Sequence, residues 1–117
     1  FSAGSVQAIA AALEASGTEF AAETLKVIRR NSALSEECTL QLVRMTRETP
    51  DIRSALSNEF RFTSRALEHA EFLEGVRAQI IDKDRNPQWR YRLDNLPGAV
   101  VARLLAPLPE GQGLSFE

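Results

Sequence analysis

The spacing of apolar residues constrains this chain most, because it follows the helical period almost throughout. Between residues 52 and 67 apolar side chains recur every three or four positions, in a stripe of about four turns. Its members, with one threonine, are Ile52, Ala55, Leu56, Phe60, Thr63, Ala66 and Leu67. No segment alternates with the period of two that is typical of a strand. The chain is therefore predicted to be all-α.

Local start and stop signals divide this periodicity into about five to six helices. Ser5 and Thr18 are placed to cap the first two helices, and Gly17 suits the left-handed position that ends the first. A buried stripe is predicted in the second helix: Phe20, Leu25 and Ile28. A third helix is expected to begin near Ser32 or Ser35. Short connections favour antiparallel neighbours, which predicts a helical array.

The second half of the chain carries further boundary signals. Thr49 is predicted to cap the fourth helix, with Pro50 at its first helical position. The next helix, beginning between residues 69 and 71, is predicted to bury Phe72, Gly75 or Val76, and Ile80, and to end before Pro87. A last short helix is predicted to begin at Pro97. We expect a helical domain over residues 1–106 and an extended or mobile tail over residues 107–117.

Composition excludes several classes of protein. The 117 residues include 14 basic and 16 acidic side chains, a net charge of -2 that argues against nucleic acid as a partner. The longest uncharged run, residues 1–13, is too short to cross a membrane, and one cysteine forms no internal disulfide. We expect a soluble cytoplasmic domain that binds neither nucleic acid nor membrane. A first residue other than methionine is consistent with a piece of a longer protein.

The residues most often used in catalysis are isolated in this sequence. Cys38 and His69 stand alone, so neither a metal site nor a nucleophile pair is predicted; we expect Cys38 in the core and His69 partly exposed at a helix end. Glu71 and Glu74 are three apart and so share a helix face, where they are either paired carboxylates or solvated surface residues. The sequence favours solvated residues.

Residues 75–92 carry the more informative features. Gly75 lies inside a helix, where glycine costs about 1 kcal/mol relative to alanine, so a neighbouring helix or a ligand is expected to approach it closely. The stretch Arg85–Arg92 interleaves arginines with Trp89 and Tyr91, as single-strand binding surfaces do, but nearby aspartates oppose that function. A smaller anion such as a nucleotide phosphate needs only one or two cations, which Lys83 and Arg85 supply.

The segment from Phe72 to Trp89 resembles a known signature. Its components are Phe72, the run Glu74–Ala78, the run Ile81–Asp84, Pro87 and Trp89. They resemble the C-terminal signature of crotonase-superfamily proteins of the 3-hydroxyisobutyryl-CoA hydrolase and enoyl-CoA hydratase/isomerase type. Upstream, Phe20-Ala21 stands where that family has Trp-Ala, and Glu59-Phe60-Arg61 where it has Glu-Tyr-Arg. Two departures are Ala33, where the family has proline, and Gln88, where lysine is common.

This resemblance implies a C-terminal fragment of an acyl-CoA enzyme. An N-terminal crotonase domain would be its partner and would carry the oxyanion hole and the acidic residues that activate water. The fragment would hold no catalytic residue and be inactive alone. The implied parent reaction is hydrolysis of a short-chain CoA thioester in valine breakdown, with no tightly bound cofactor. Hydration or isomerisation of an enoyl-CoA is one alternative, and a non-catalytic helical interaction module is another.

The resemblance also implies candidate ligand contacts. The last helix of such proteins often brings a basic and an aromatic side chain near the phosphates and adenine of CoA. Here Lys83, Arg85 and Trp89 are the CoA-proximal candidates, since Gln79 replaces the aromatic that several hydratases carry. Helix faces that rest on the missing domain would be exposed, so we expect the fragment to self-associate, through the first two helices.

Overall fold

The structure, a computed structural model, describes residues 3–69 and 71–116. Its helices are α1 (Val6–Ser16), α2 (Glu19–Arg30), α3 (Ala33–Glu48), α4 (Ile52–Thr63), α5 (Ala66–His69), α6 (Phe72–Val76) and α7 (Gly98–Leu105). A π-helical turn, Arg77–Ile81, continues α6 directly. The described residues contain no strand, so the all-α prediction is confirmed.

The helix boundaries predicted from local signals are confirmed at the start of the chain. The hydroxyl of Ser5 accepts a hydrogen bond from the Ala8 amide at 3.1 Å. The hydroxyl of Thr18 accepts one from the Ala21 amide at 3.1 Å. Gly17 ends α1 with a φ of 66°, in the left-handed region that glycine adopts without a steric penalty. These side chains satisfy amide groups that a helix start leaves unpaired.

The predicted cap of α4 is wrong by two residues. Asp51, not Thr49, occupies the cap, and its carboxylate accepts a hydrogen bond from the Ser54 amide at 3.0 Å. Aspartate is the stronger capping residue, and Pro50 therefore precedes the cap instead of opening the helix. The helix also ends earlier than predicted, because the chain turns at Ser64 and Arg65 before α5.

The core forms where α3 meets α7. Leu34, Cys38 and Leu104 are fully buried, and partly buried apolar side chains surround them: Phe62, Tyr91, Leu96, Val100, Val101 and Leu105. The prediction that Cys38 is a core residue is thus confirmed. A second buried set joins α1 to α2 and the start of α3: Val6, Ile9, Ala10, Ala21, Leu25 and Ala33.

Two predicted buried stripes are wrong in part. Leu25 is buried, but Phe20 is 69% exposed, because α2 packs through Ala21 and Leu25 and Phe20 lies one residue off that face. Phe72 is 56% and Ile80 is 66% exposed. The wider spacing of the π-helical turn changes which side chain faces inward, and Ala78 is buried in place of Ile80.

The chain after α7 has neither helix nor strand over residues 107–116. Arg65 secures its beginning by donating hydrogen bonds to the carbonyls of Leu104 at 3.1 Å, Ala106 at 2.6 Å and Pro107 at 3.2 Å. A cation at a helix C-terminus is favourable because unpaired carbonyls concentrate negative charge there. Further along, Arg53 lies over the ring of Phe116, 5.8 Å from its centre.

Candidate functional site

The loop that follows the π-helical turn, residues 82–90, contains the candidate ligand residues. The turn is closed by a hydrogen bond of 2.8 Å from the Asp82 amide to the Arg77 carbonyl. The Arg85 amide donates to the carbonyl of Ala78 at 2.9 Å. Lys83 and Arg85 have φ values of 56° and 52°. A left-handed conformation costs a residue with a side chain roughly 1–2 kcal/mol, so other contacts must hold this loop.

Arg77 supplies those contacts. Its Nε donates to both carboxylate oxygens of Glu74, at 3.0 and 2.9 Å, and its Nη2 reaches Glu74 at 2.6 Å. Its Nη1 donates to Asp82 and to Asp84, each at 2.8 Å. Nη2 also donates to the carbonyl of Asn86 at 3.4 Å. One guanidinium thus connects α6 to the loop on both sides of Lys83. We call Arg77 and its three carboxylate partners, Glu74, Asp82 and Asp84, the Arg77 cluster.

The charges of the Arg77 cluster are stabilised by its own hydrogen bonds. Arg77 chiefly, and then the Gln88 amide at 2.8 Å, lower the pKa of Glu74 to about 2. Arg77 likewise lowers the pKa of Asp84, and the three carboxylates raise the pKa of Arg77. The Glu74 side chain is only 24% exposed. Glu74 is therefore held in ion pairs at the surface of the chain, and a proton donor at neutral pH would need a raised pKa instead.

Glu71 has a separate role from Glu74. Its carboxylate accepts hydrogen bonds from the hydroxyl of Ser32, at 3.1 Å, and from the amide of Arg90. It therefore joins the α2–α3 junction to the far end of the loop. The two glutamates bind different groups and do not act as a pair.

Trp89 fastens the loop to two helices. Its Nε1 donates to the carbonyl of Arg30, the last residue of α2, at 2.8 Å. Its ring also covers Gly75: a Cβ added at Gly75 would lie 3.5 Å from the ring atom Cη2. The predicted close approach of a helix or a ligand to Gly75 is wrong for the described residues, because its neighbour is the ring of Trp89 in the loop, at an ordinary van der Waals distance. The structure gives Trp89 a structural role, and its contact with CoA stays a prediction.

Lys83 and Arg85 are exposed cations in the first part of the loop. Within residues 3–69 and 71–116, neither side chain makes a hydrogen bond or an ion pair. They lie on either side of Asp84 in the chain, whereas Trp89 is fixed at the other end of the loop by its bond to Arg30. Two unpaired cations on an ordered loop can bind an anion such as a phosphate.

A polar groove of about 660 Å³ lies beside the loop, between α1 and the end of α2. Trp89, Tyr91, Arg29 and Arg92 are among the side chains that line it, whereas Lys83 and Arg85 are not. Of the three candidate ligand residues, only Trp89 therefore belongs to the lining of this groove.

Other kinds of site find no support in the described part of the chain. No three His, Cys, Asp or Glu side chains there are placed to hold one metal ion. No helix among the same residues has the length and apolar character to cross a membrane. His69 ends α5, but its side chain lies outside the described residues.

Sequence reasoning missed the Arg77 cluster. The spacing of Glu74 and Arg77, three apart on a helix, was a signal for the first ion pair. The pairs with Asp82 and Asp84 depend on the π-helical turn and the loop conformation, for which the sequence has no local signal.

Comparison with known proteins agrees with the signature between Phe72 and Trp89. A model of the enoyl-CoA hydratase/isomerase family matches residues 1–105. The chain belongs to the enoyl-CoA hydratase/isomerase family. The resemblance stated from the sequence is confirmed.

Individual members of this family show how much of the chain is shared. A mitochondrial 3-hydroxyisobutyryl-CoA hydrolase of Rattus norvegicus is 40% identical over 90 residues, which is 77% of this chain and 23% of that protein. Another from Gallus gallus is 34% identical over 109 residues, or 92% of this chain and 28% of that protein. The crystal structure of an enoyl-CoA hydratase from Rhodobacter sphaeroides matches 98% of this chain with 47% identity and a TM-score of 0.91.

These family members are much longer than the chain. It spans about a quarter of the length of the curated relatives and 34% of the solved enoyl-CoA hydratase chain. The fold of these residues therefore corresponds to one part of an acyl-CoA enzyme.

Proposed function

We propose that this chain is the helical part of an enzyme that hydrolyses a short-chain acyl-CoA thioester of the 3-hydroxyisobutyryl-CoA type. The supporting observation is the similarity of more than three quarters of the chain to proteins named 3-hydroxyisobutyryl-CoA hydrolase. Hydrolysis of this thioester is a step in valine breakdown. Location in the cytoplasm stays a prediction, and the names of these relatives place those proteins in mitochondria.

In this proposal the first part of the loop, residues 82–86, binds the phosphates of CoA. Lys83 and Arg85 are exposed and carry no competing ion pair among the described residues, as a phosphate contact requires. The catalytic groups belong to an N-terminal crotonase domain of the parent protein. CoA enters as part of the substrate, with no tightly bound cofactor, and the 117 residues alone have no turnover.

The test compares two thioesters in the full-length parent. Lys83→Glu is expected to raise KM for the CoA thioester about tenfold, the effect of losing roughly 1.4 kcal/mol of binding. KM for the matching pantetheine thioester, which lacks the nucleotide phosphates, should not change. Lys26→Glu is the matched control, because Lys26 is also exposed and lies on α2, outside the loop. Equal effects of Lys83→Glu on both thioesters would contradict a phosphate contact.

Hydration of an enoyl-CoA is the second candidate reaction. It is favoured by the solved enoyl-CoA hydratase, which shares 47% identity with this chain. Both reactions polarise the thioester carbonyl in the same way and differ in where water attacks. Release of free CoA thiol from a saturated 3-hydroxyacyl-CoA identifies the hydrolase, whereas loss of the enoyl absorbance without thiol release identifies the hydratase.

The isolated chain is also proposed to self-associate. Several large apolar side chains are exposed: Phe20 and Val27 on α2, and Phe72, Leu73, Ile80 and Ile81 around the π-helical turn. Exposed apolar patches of this kind favour association. Sedimentation should show a mass that rises with concentration, and a monomer at every concentration would contradict the proposal.

A further inference from the structure

We infer that Arg77 is a positioning residue for the phosphate-binding loop, acting through Asp82 and Asp84 to keep Lys83 and Arg85 available to an anion. The inference rests on the proposed function, because it concerns how the same two cations are presented. Arg77 itself does not touch the ligand in this arrangement.

The alternation of charge along the loop gives the first argument. Residues 82–85 read Asp-Lys-Asp-Arg, so each cation has a carboxylate as its neighbour. Both aspartates nevertheless pair with Arg77, at 2.8 Å each, and leave Lys83 and Arg85 without ion pairs among the described residues. Arg77 thereby prevents the two acids from pairing with the two cations that a phosphate would need.

The conformation of the loop gives the second argument. Lys83 and Arg85 are the non-glycine residues with positive φ in the described ranges, and each follows an aspartate held by Arg77. Left-handed backbone is unfavourable for residues with a Cβ and persists only where surrounding contacts impose it. The same guanidinium also reaches the Asn86 carbonyl, so its contacts bracket both left-handed residues.

The chemistry of the arginine side chain gives the third argument. Arg77 uses Nε and both terminal nitrogens at once, toward Glu74 on α6 and toward the two aspartates of the loop. A guanidinium has the planar fork that such a contact set requires. A lysine would supply the charge at one point only. Arg77→Lys therefore keeps the positive charge and removes the planar fork.

The experiment measures KM and kcat of the full-length parent for the CoA thioester and for the matching pantetheine thioester. Arg77→Lys is expected to raise KM for the CoA thioester about fivefold, with kcat and the KM for the pantetheine thioester changed less than about twofold. Asp84→Asn removes one contact of Arg77 but also one negative charge beside the two cations, so it should change the same KM less than Arg77→Lys does. Arg47→Lys is the matched control, an exposed arginine on α3 with no partner in the described residues.

The remaining outcomes separate this inference from the proposed function. If Lys83→Glu raises KM for the CoA thioester and Arg77→Lys does not, the phosphate contact stands and the positioning role is wrong. If Lys83→Glu has no effect either, the phosphate contact fails and the inference fails with it. If Arg77→Lys and Asp84→Asn lower kcat equally for both thioesters, or only reduce thermal stability, Arg77 has a structural role and the inference is overturned.

Discussion

The indole Nε1 of Trp89 donates a hydrogen bond of 2.8 Å to the carbonyl of Arg30, 59 residues earlier in the chain. The carbonyl belongs to the last residue of α2, where helical carbonyls have no partner within the helix. Trp89 thus joins the loop after α6 to the end of α2 through one donor. The loop that carries the candidate cations is part of the folded helical array.

Trp89→Phe tests the energetic value of this bond. The change removes the donor and also the outer ring atoms, Cη2 among them, that contact Gly75, so the free energy of unfolding should fall by at least about 1 kcal/mol. Urea unfolding measures it. Tyr91→Phe is the control, because the Tyr91 hydroxyl makes no hydrogen bond within the described residues, and its effect should stay below about 0.5 kcal/mol. Equal losses in both variants would mean that neither the bond with Arg30 nor the ring contact with Gly75 stabilises the chain.

Two glycines are expected to respond to alanine with opposite signs. Gly75 is helical, and the new Cβ would meet Trp89 at an ordinary 3.5 Å, so Gly75→Ala should stabilise the chain by about 0.5–1 kcal/mol. Gly17 has a φ of 66°, so Gly17→Ala should destabilise it by about 1 kcal/mol. Thermal unfolding of both variants checks the pair. Loss of stability in Gly75→Ala would mean that the ring of Trp89 cannot accommodate a methyl group.

The sequence predicts those parts of the fold that depend on neighbouring residues. Ser5, Gly17 and Thr18 each act within a few positions of the helix end that they define, and the structure has them in these roles. The apolar stripe predicts that α2 is a helix, but it does not predict which residues lie at the centre of the buried face. Phe20 is exposed because the packing of α2 on α1, set by Ala21 and Leu25, decides the buried face.

The support of the candidate site lies beyond such local reasoning. Lys83 and Arg85 could be selected from the sequence because exposed cations near a recognised signature are visible there. The contacts that hold them come from Arg77, six residues before Lys83, across a π-helical turn that changes the period from 3.6 residues. Trp89 looked available for stacking, but its bond to Arg30 joins residues far apart in sequence.

Cys38 is expected to be chemically inert in the folded chain. Burial, and then the charge of Glu37, raise the pKa of its thiol to about 12. The thiolate is the reactive form, so only about one molecule in 10⁵ would carry it at neutral pH. Alkylation by iodoacetamide, followed by mass spectrometry, should be slow in buffer and fast in urea. Rapid labelling under both conditions would show that α3 and α7 open readily.

Glu36 should make stability depend on pH in the neutral range. Its Oε1 is buried with no hydrogen-bond partner among the described residues, in a groove lined by apolar side chains that include Ile9 and Val43. Burial raises its pKa from 4.5 to about 7, against a smaller opposing effect of a hydrogen bond with Asn31. The folded chain therefore favours the neutral carboxyl, and unfolding releases it to ionise.

The sign of the effect follows from the raised pKa. The unfolded carboxyl ionises near its ordinary value, so stability is fully present below that value and falls as the pH rises through about 7. One pKa unit corresponds to about 1.4 kcal/mol, and partial exposure reduces the effect, so we expect a loss of about 1–2 kcal/mol between about pH 5 and about pH 8.

Glu36→Gln should remove this loss and stabilise the chain at the higher pH. Urea unfolding across this range measures the slope, with Glu23→Gln on the exposed face of α2 as the control. Equal slopes in the parent chain and in Glu36→Gln would show that the Glu36 carboxyl is hydrated, since a hydrated carboxyl would ionise in the folded and unfolded states alike.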